Sequence, residues 1–322
     1  VTDKKIFLDR DIDTSAISSK RVGIVGYGSQ GRAQALNLRD SGFTPLIGVR
    51  DGPSLKRACD DGFGPLTIAR VSSECGILMI LTPDETHSEI CGELILPNAS
   101  ADTALGFGAG FSVHFGLVSI PASHPVFLAA PKGPGAVLRR RFQEGAGIPA
   151  IVASRDDEPE GMAMALAYAG AIGCGRTGVI QASFREEAVA DLFGEQCVLS
   201  GGMIELMKGA FDVLVDRGFP PEIAYIECIA EVEYMASLIS RVGLAHLEDH
   251  ISSTAFFGGA TRGKRVIDEG TKMRLLAVLD EIESGKFFNE FRERLASGEG
   301  LPRGPWASEA LERARSRLGK SD

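Results

Sequence analysis

Apolar residues in the first half of the chain fall into short, β-branched runs separated by stretches of helical periodicity. Runs at 22–25, 44–49, 76–82, 104–107, 126–130 and 149–153 read as strands, with one more short run at 177–180. Helical patterns occupy 31–40, 55–61 and 86–96, and the segment 158–172 reads as a helix packed over the last strands. Strands that alternate with helices at this spacing predict an α/β fold with a doubly wound parallel sheet.

After about Phe184 the pattern changes. Long, glycine-punctuated helical stretches follow at 185–199, 202–217, 221–242 and 244–249, and again at 269–284, 287–297 and 306–318. Pro220 and Pro221 form a helix opener, because proline is pre-organised for the first helical position. The expected division is therefore an α/β domain over 1–181 and an all-helical domain over 182–322. Several of the later helices are apolar over arcs too wide for one partner surface, which predicts burial among several neighbours or in a dimer.

Composition narrows the class. With 44% hydrophobic and 24% charged residues, the 322-residue chain is globular and long enough for two domains. A net charge of −9 offers no basic patch for nucleic acid. No apolar run approaches the length of a membrane span. The cysteines at 59, 75, 91, 174, 197 and 228 form no CxxC pair, and most have apolar neighbours. With no secretory pattern ahead of them, they read as reduced thiols of a cytoplasmic protein.

The strongest chemical signal is the sequence RVGIVGYGSQGRAQALNLRD at 21–40. A strand turning directly into a helix aims backbone N–H groups and the positive helix end at one point, where a pyrophosphate can sit. Gly26 permits the turn, Gly28 lets a phosphate approach the backbone, and Gly31 lets the helix pack on the strand. Tyr27, Ser29 and Gln30 complete the expected cofactor turn. Beyond the second strand, Arg50, Ser54 and Lys56 offer cations and a hydroxyl to a 2′-phosphate, which favours NADPH. Asp51 in the same segment would repel that phosphate if it pointed inward, which leaves NADH open.

Two acidic pairs stand out in the helical half: Asp191 with Glu195, and Glu227 with Glu231. Four-residue spacing puts both members of each pair on one helix face. Like charges so placed destabilise a helix unless a cation neutralises them, and the flanking residues are apolar. Four carboxylates would suit Mg²⁺, a hard cation that takes oxygen ligands. Solvated helix faces carry such pairs too, so the spacing alone leaves both uses open.

Several blocks in order carry a family resemblance: GYGSQG at 26–31, LTPDE at 81–85, APKGPG at 130–135, DLFGEQ at 191–196 and AYIECIAE at 224–231. Together they resemble ketol-acid reductoisomerase of the short, class I type, from about Lys5 to Leu318. The resemblance implies a Rossmann domain followed by an all-helical, knotted domain that mediates dimerisation. It also implies a two-step reaction on a small acetohydroxy acid: Mg²⁺-dependent alkyl migration, then reduction by NADPH to a dihydroxy acid. Pro83 and Asp84 would stand beside the cofactor. Asp191 would bridge two Mg²⁺ ions with Glu195 on one of them, and Glu227 and Glu231 would come from the second subunit. Ser252 would hold the substrate carboxylate and Lys132 would support the metal-bound network, so Lys132, Asp191, Glu195, Glu231 and Ser252 are the expected catalytic residues.

The chain departs from the family pattern at its chemistry. The family's FAHGF, whose histidine helps manage protons, is here Phe107-Gly108-Ala109-Gly110-Phe111. Alanine can neither accept nor donate a proton, and general acid–base help is worth about 10²–10⁴-fold. The family's ETETD is Glu187-Ala188-Val189-Ala190-Asp191, its SISNT is His250-Ile251-Ser252-Ser253-Thr254, and its EYGD is Phe256-Phe257-Gly258-Gly259. His250 is expected at the surface or behind the site, and His114 has no catalytic role in this reading. Two enzymes fit: a reductoisomerase that tolerates Ala109, or a relative that has lost migration and reduces a different ketone or imine. A non-catalytic nucleotide-binding protein fits less well, because the acidic pairs, Lys132, Ser252 and the glycine turn all survive.

Overall fold

In chain order the strands are β1 (Ile6–Phe7), β2 (Val22–Val25), β3 (Leu46–Gly48), β4 (Ile77–Ile80), β5 (Ala104–Phe107), β6 (Val126–Pro131), β7 (Ala150–Ser154) and β8 (Val179–Gln181). The computed structural model describes residues 4–300, 306 and 308–318. All eight strands form one sheet, ordered β1-β8-β7-β6-β5-β4-β2-β3. Every residue of β2, β4, β5 and β6 is buried, as the apolar runs require of strands covered on both faces.

Five neighbouring strands, β3, β2, β4, β5 and β6, are mutually parallel. The expected all-parallel sheet is corrected beyond them, because β7 runs antiparallel to β6 and β1 antiparallel to β8. The reason lies in the connection between β6 and β7. It contains the helix Gly135–Gln143, yet it leaves and re-enters the sheet at one end, where Lys132 N–H donates to the Pro149 carbonyl at 2.8 Å. A run of apolar residues reads the same in either direction, so the sequence carried no sign of this reversal. Nor did it mark β1, a two-residue edge strand seated by Ile6 on Ile180 and Phe7 on Val179.

Helices cover both faces of the sheet. The helix Ser29–Asp40 and the helix Pro159–Ala171 pack with Val22, Ile24, Phe127 and Tyr168 on one side. The helix Ile68–Glu74 and the turns around Ile90 and Ile95 pack with Val25, Leu78, Ile80 and Phe107 on the other. Each large apolar side chain buried this way contributes about 1.5–3 kcal/mol. The helix Ile68–Glu74 is missing from the sequence expectation; its Thr67 cap accepts from Arg70 N–H, a signal that was there to be read.

The chain divides into a unit Val1–Ala190 and a unit Asp191–Asp322, a division that falls inside the helix Phe184–Gly194. Among its described residues the second unit is helical throughout. Its principal helices are Gly202–Asp216, Glu231–Val242, Ser253–Val266, Glu269–Glu283, Lys286–Ser297 and Glu309–Arg317. Pro221 does open a helix, and the helix expected over 306–318 runs from Glu309, with Ala307 outside the described residues. Ser253–Val266 is an addition to the expectation, because Gly258, Gly259 and Gly263 disguise it. Within this unit Phe211, Ile282 and Phe288 are buried, while Tyr234, Leu244, Phe257 and Met273 stand open to solvent in the single chain. Among the described residues no helix is long and apolar enough to cross a membrane.

Candidate active site

Strand order reverses at β2, which has β3 on one side and β4 on the other. In open α/β sheets such a switch point makes a crevice beyond the carboxyl ends of the strands. Here that crevice is a cleft of about 520 Å³, bordered by residues 26–30, 49–54, 68 and 81–83. Gly26, Tyr27, Gly28, Ser29, Gln30, Arg50, Ser54 and Pro83 all line it, as does Asp51. Lys56 and Asp84 are not among its lining residues.

The glycines of the turn differ in their duties. Gly26 sits at φ +97°, in the left-handed region, and a Cβ there would press on the Leu81 carbonyl and the Thr82 methyl. A Cβ at Gly31 would collide with the Gly26 carbonyl oxygen, so the helix rests directly on the turn. At Gly28 a Cβ would meet nothing within 4 Å, so this backbone faces the cleft. The Tyr27 ring turns away into the core against Phe63. Its hydroxyl donates to Asp61 at 3.0 Å, and Asp61 also accepts from Arg32 at 2.6 and 2.8 Å. Burial and the Asp61 carboxylate push the Tyr27 phenol up, and hydrogen bonding from Arg32 holds the Asp61 carboxyl below its usual range.

The opposite wall of the cleft is held by His87, a residue that no motif in the sequence marks. Its Nε2 lies 2.9 Å from the Thr82 carbonyl and its Nδ1 2.7 Å from Ser112 Oγ. A carbonyl only accepts, so Nε2 carries the hydrogen, and Nδ1 faces the Ser112 hydroxyl, which also lies 3.4 Å from Asp84 Oδ1. Burial lowers the His87 pKa, which keeps the ring neutral in this role. The Thr82 hydroxyl itself is buried with no hydrogen-bond partner among the described residues. An orphaned hydroxyl on the wall of a cleft built from a glycine turn is what a bound dinucleotide would satisfy.

Lys132 follows β6, and its ammonium meets Glu187 Oε1 at 2.7 Å. The other Glu187 oxygen accepts from Gly110 N–H at 2.6 Å. Glu187 is fully buried, so the cation and the amide stabilise a carboxylate that water cannot reach. This carboxylate therefore ties Lys132 to the 107–111 segment, beside Ala109. The sequence signal was present: Glu187 stands four residues before Asp191 and extends the row of acids on that helix. His114 packs edge-on to Phe115, and burial, reinforced by Arg185, lowers its pKa.

Asp191 is half-buried near the end of the helix Phe184–Gly194, and Glu195 opens a π-helical turn over Glu195–Leu199. Glu227 lies in a second π-helical turn, Ile226–Ala230, and Glu231 begins the helix after it. Such widened turns recur at functional sites, and here each acidic pair has one. Glu195, Glu227 and Glu231 are exposed in the single chain. Among the described residues no three His, Cys, Asp or Glu side chains gather into a metal cage. The donor set is nevertheless hard oxygen throughout, which fits Mg²⁺ in kind. Ser252 caps the helix Ser253–Val266 by accepting from Ala255 N–H at 3.2 Å, which leaves its own proton free to donate elsewhere. His250 is exposed at the end of the 3-10 turn Leu244–His250.

Both halves of the chain match one family. Residues 16–178 match the acetohydroxy acid isomeroreductase NADPH-binding domain, and residues 184–314 the ketol-acid reductoisomerase C-terminal domain. The chain belongs to the ketol-acid reductoisomerase family. A member from Mycobacterium ulcerans (strain Agy99), ketol-acid reductoisomerase (NADP(+)), is 43% identical over 295 residues, 91% of this chain and 89% of its own. The structure of an NADH-preferring ketol-acid reductoisomerase from an uncultured archean superposes with a TM-score of 0.89 at 35% identity, covering 98% and 95% of the two chains. A semialdehyde dehydrogenase NAD-binding protein from Cupriavidus necator shares the fold at a TM-score of 0.65 and 16% identity, over 84% of this chain and 99% of that one. Within the reductoisomerase family, then, this chain is an NAD(P)H-dependent oxidoreductase that carries Ala109 in its 107–111 segment.

Proposed function

We propose that this protein converts an acetohydroxy acid to a dihydroxy acid by alkyl migration followed by hydride transfer, using NADPH and Mg²⁺. What carries the reading is the cleft beside the glycine turn, in a chain whose two halves both match the reductoisomerase family. The backbone of residues 26–31 binds the pyrophosphate, with the first turn of the helix Ser29–Asp40 supplying its N–H groups. When bound, NADPH supplies the hydride, and Mg²⁺ polarises the ketone and eases loss of the hydroxyl proton. Lys132, fixed by Glu187, presents a positive charge to the oxyanion that develops during migration. Asp191, Glu195, Glu227 and Glu231 hold the metal, the second pair arriving from another copy of the chain, and Ser252 donates to the substrate carboxylate.

NADPH is preferred because Arg50 and Ser54 border the cleft and match a 2′-phosphate. Relatives include both an NADP(+) enzyme and an NADH-preferring one. Asp51 on the same border suits a free ribose hydroxyl, so the ratio of kcat/KM for NADPH and NADH tests this preference directly. Function in the cytoplasm as a homodimer or larger homo-oligomer, without nucleic acid or membrane, belongs to the same proposal. Exposed Tyr234, Leu244, Phe257 and Met273 support the oligomer.

One observation favours a second reading. Ala109 supplies no imidazole, so the enzyme would reduce a ketone or imine without migrating an alkyl group. A single assay separates the two. The purified protein receives NADPH and Mg²⁺ with either 2-acetolactate or the already rearranged 3-hydroxy-2-keto acid. Oxidation of NADPH with both substrates supports the reductoisomerase, and oxidation with the second alone supports the reductase. If neither substrate consumes NADPH, the reductoisomerase reading falls and the substrate is a different ketone or imine.

A further inference from the structure

Three side chains connect the helix that covers the sheet to the turn beside Lys132. Tyr168, on the helix Pro159–Ala171, donates its hydroxyl proton to Gln34 Oε1 at 2.8 Å. Gln34 Nε2 donates to Gln30 Oε1 at 3.0 Å, and Gln30 Nε2 donates to the Gly133 carbonyl at 2.8 Å. We propose that Tyr168 is a positioning residue that sets the Gln30 and Gly133 walls of the cofactor site through this one-way relay, although it does not border the cleft. The inference rests on the dinucleotide-binding part of the proposed function.

The polarity of the relay has no alternative. Gly133 offers only a carbonyl oxygen, so Gln30 must turn its amide nitrogen toward it. The Gln30 oxygen then faces Gln34, which must answer with its own nitrogen, and the Gln34 oxygen is left pointing at Tyr168. Only a donor can stand there. Tyr168 and Gln34 are fully buried, so water cannot replace a missing proton. Burial also holds the phenol pKa well above its ordinary value, so the donor keeps its proton.

At its far end the relay meets residues with chemical duties. Gln30 lines the cleft inside the glycine turn, and Gly133 follows Lys132, whose ammonium meets Glu187. A Cβ at Gly135 would collide with the Ser29 carbonyl, so the two turns touch backbone to backbone. A small rotation of the Gln30 amide therefore changes the surface offered to the pyrophosphate and the seat of Lys132 together. Asn37 makes a useful contrast. It is equally buried on the same helix and donates to the Ile172 carbonyl at 3.0 Å, but it makes no hydrogen bond to Gln30 or Gly133.

The test is a fluorescence titration of the full-length protein with NADPH. Loss of one buried hydrogen bond is worth about a three- to tenfold change in an equilibrium constant, so Tyr168→Phe should raise the Kd by that factor. Gln30→Met should raise it at least as far, and the double variant should match Gln30→Met alone. Asn37→Ser should lower the melting temperature and leave the Kd unchanged. Gln34→Met, close in volume, serves if Tyr168→Phe does not fold. A wild-type Kd in Tyr168→Phe would overturn the proposal, as would independent effects in the double variant or a loss of affinity in Asn37→Ser as large as that in Tyr168→Phe. Binding without acetolactate turnover would sink the reductoisomerase reading and leave the relay measurable. Failure of the wild-type protein to bind either nicotinamide cofactor would sink both.

Discussion

The two units of this chain differ in how far one copy can satisfy its own residues. In the unit Val1–Ala190, whole strands are buried, a glycine turn faces a cleft, and the Glu187 carboxylate finds both a cation and an amide. In the unit Asp191–Asp322, large apolar side chains lie open and three of four candidate metal carboxylates are exposed. On the proposed function, one chain suffices for the cofactor, whereas the metal takes carboxylates from two. Burial, rather than motif strength, separates the two.

The sharpest way to break this comparison uses two damaged proteins. Asp191→Asn and Glu231→Gln should each lower Mg²⁺-dependent turnover on the order of 10²–10³-fold, by removing charge that stabilises the transition state. Both should keep wild-type affinity for NADPH. If each metal set takes Asp191 from one copy and Glu231 from another, co-expressing the two variants restores one intact site in every mixed dimer. Activity should then return to about a quarter of wild type, since half the dimers are mixed. No recovery on mixing would mean that one chain holds its own metal.

The next effect lies in the first unit. Ala109 neighbours Gly110, whose N–H binds Glu187, so a side chain at 109 stands close to the anchored Lys132. Ala109→His should increase acetolactate turnover by about 10²-fold, the lower end of what general acid–base groups supply. Turnover of the rearranged keto acid should change little. Equal gains on both substrates would mean that migration is not what the alanine limits.

Glu187→Gln asks how much the ion pair contributes. The amide oxygen can still accept from Gly110 N–H, but Lys132 loses the Glu187 carboxylate. Lys132 keeps partial access to water, at 27% side-chain exposure, so the stability loss should be about 1–3 kcal/mol, below that of a fully buried pair. Thermal unfolding with and without NADPH measures it, and an unchanged melting temperature would show that the pair contributes nothing.

Much of the first unit was legible from sequence because burial on both faces demands unbroken apolar runs. The strand at 104–107 falls where the run falls, and β2 likewise. Direction was not legible: β7 has the same apolar character whichever way it runs. The helix Ser253–Val266 was hidden by its glycines, whereas Glu187 was marked by its place in the acidic row with Asp191 and Glu195. The cleft residues Gly26, Gly28 and Arg50 were legible because their chemistry is local in sequence. The relay from Tyr168 to Gly133 spans the chain and leaves no local pattern.

The smallest effect tests whether the floor of the glycine turn stabilises the first unit. Asp61 accepts from Arg32 and Tyr27, and its carboxyl pKa is lowered from 3.8, first by the Arg32 hydrogen bond. A depressed pKa means that the folded protein favours the charged form. The stabilisation is therefore present in full above the unfolded value, near 3.8, and fades as pH falls through the lower folded value. Arg32 is nearly half exposed, which screens the pair, so Asp61→Asn should cost only about 1 kcal/mol at pH 7. Urea unfolding at pH 7 and below pH 3 measures both ends, with the variant approaching wild type in acid. A difference that persists undiminished in acid would assign the contribution of Asp61 to shape and packing rather than charge.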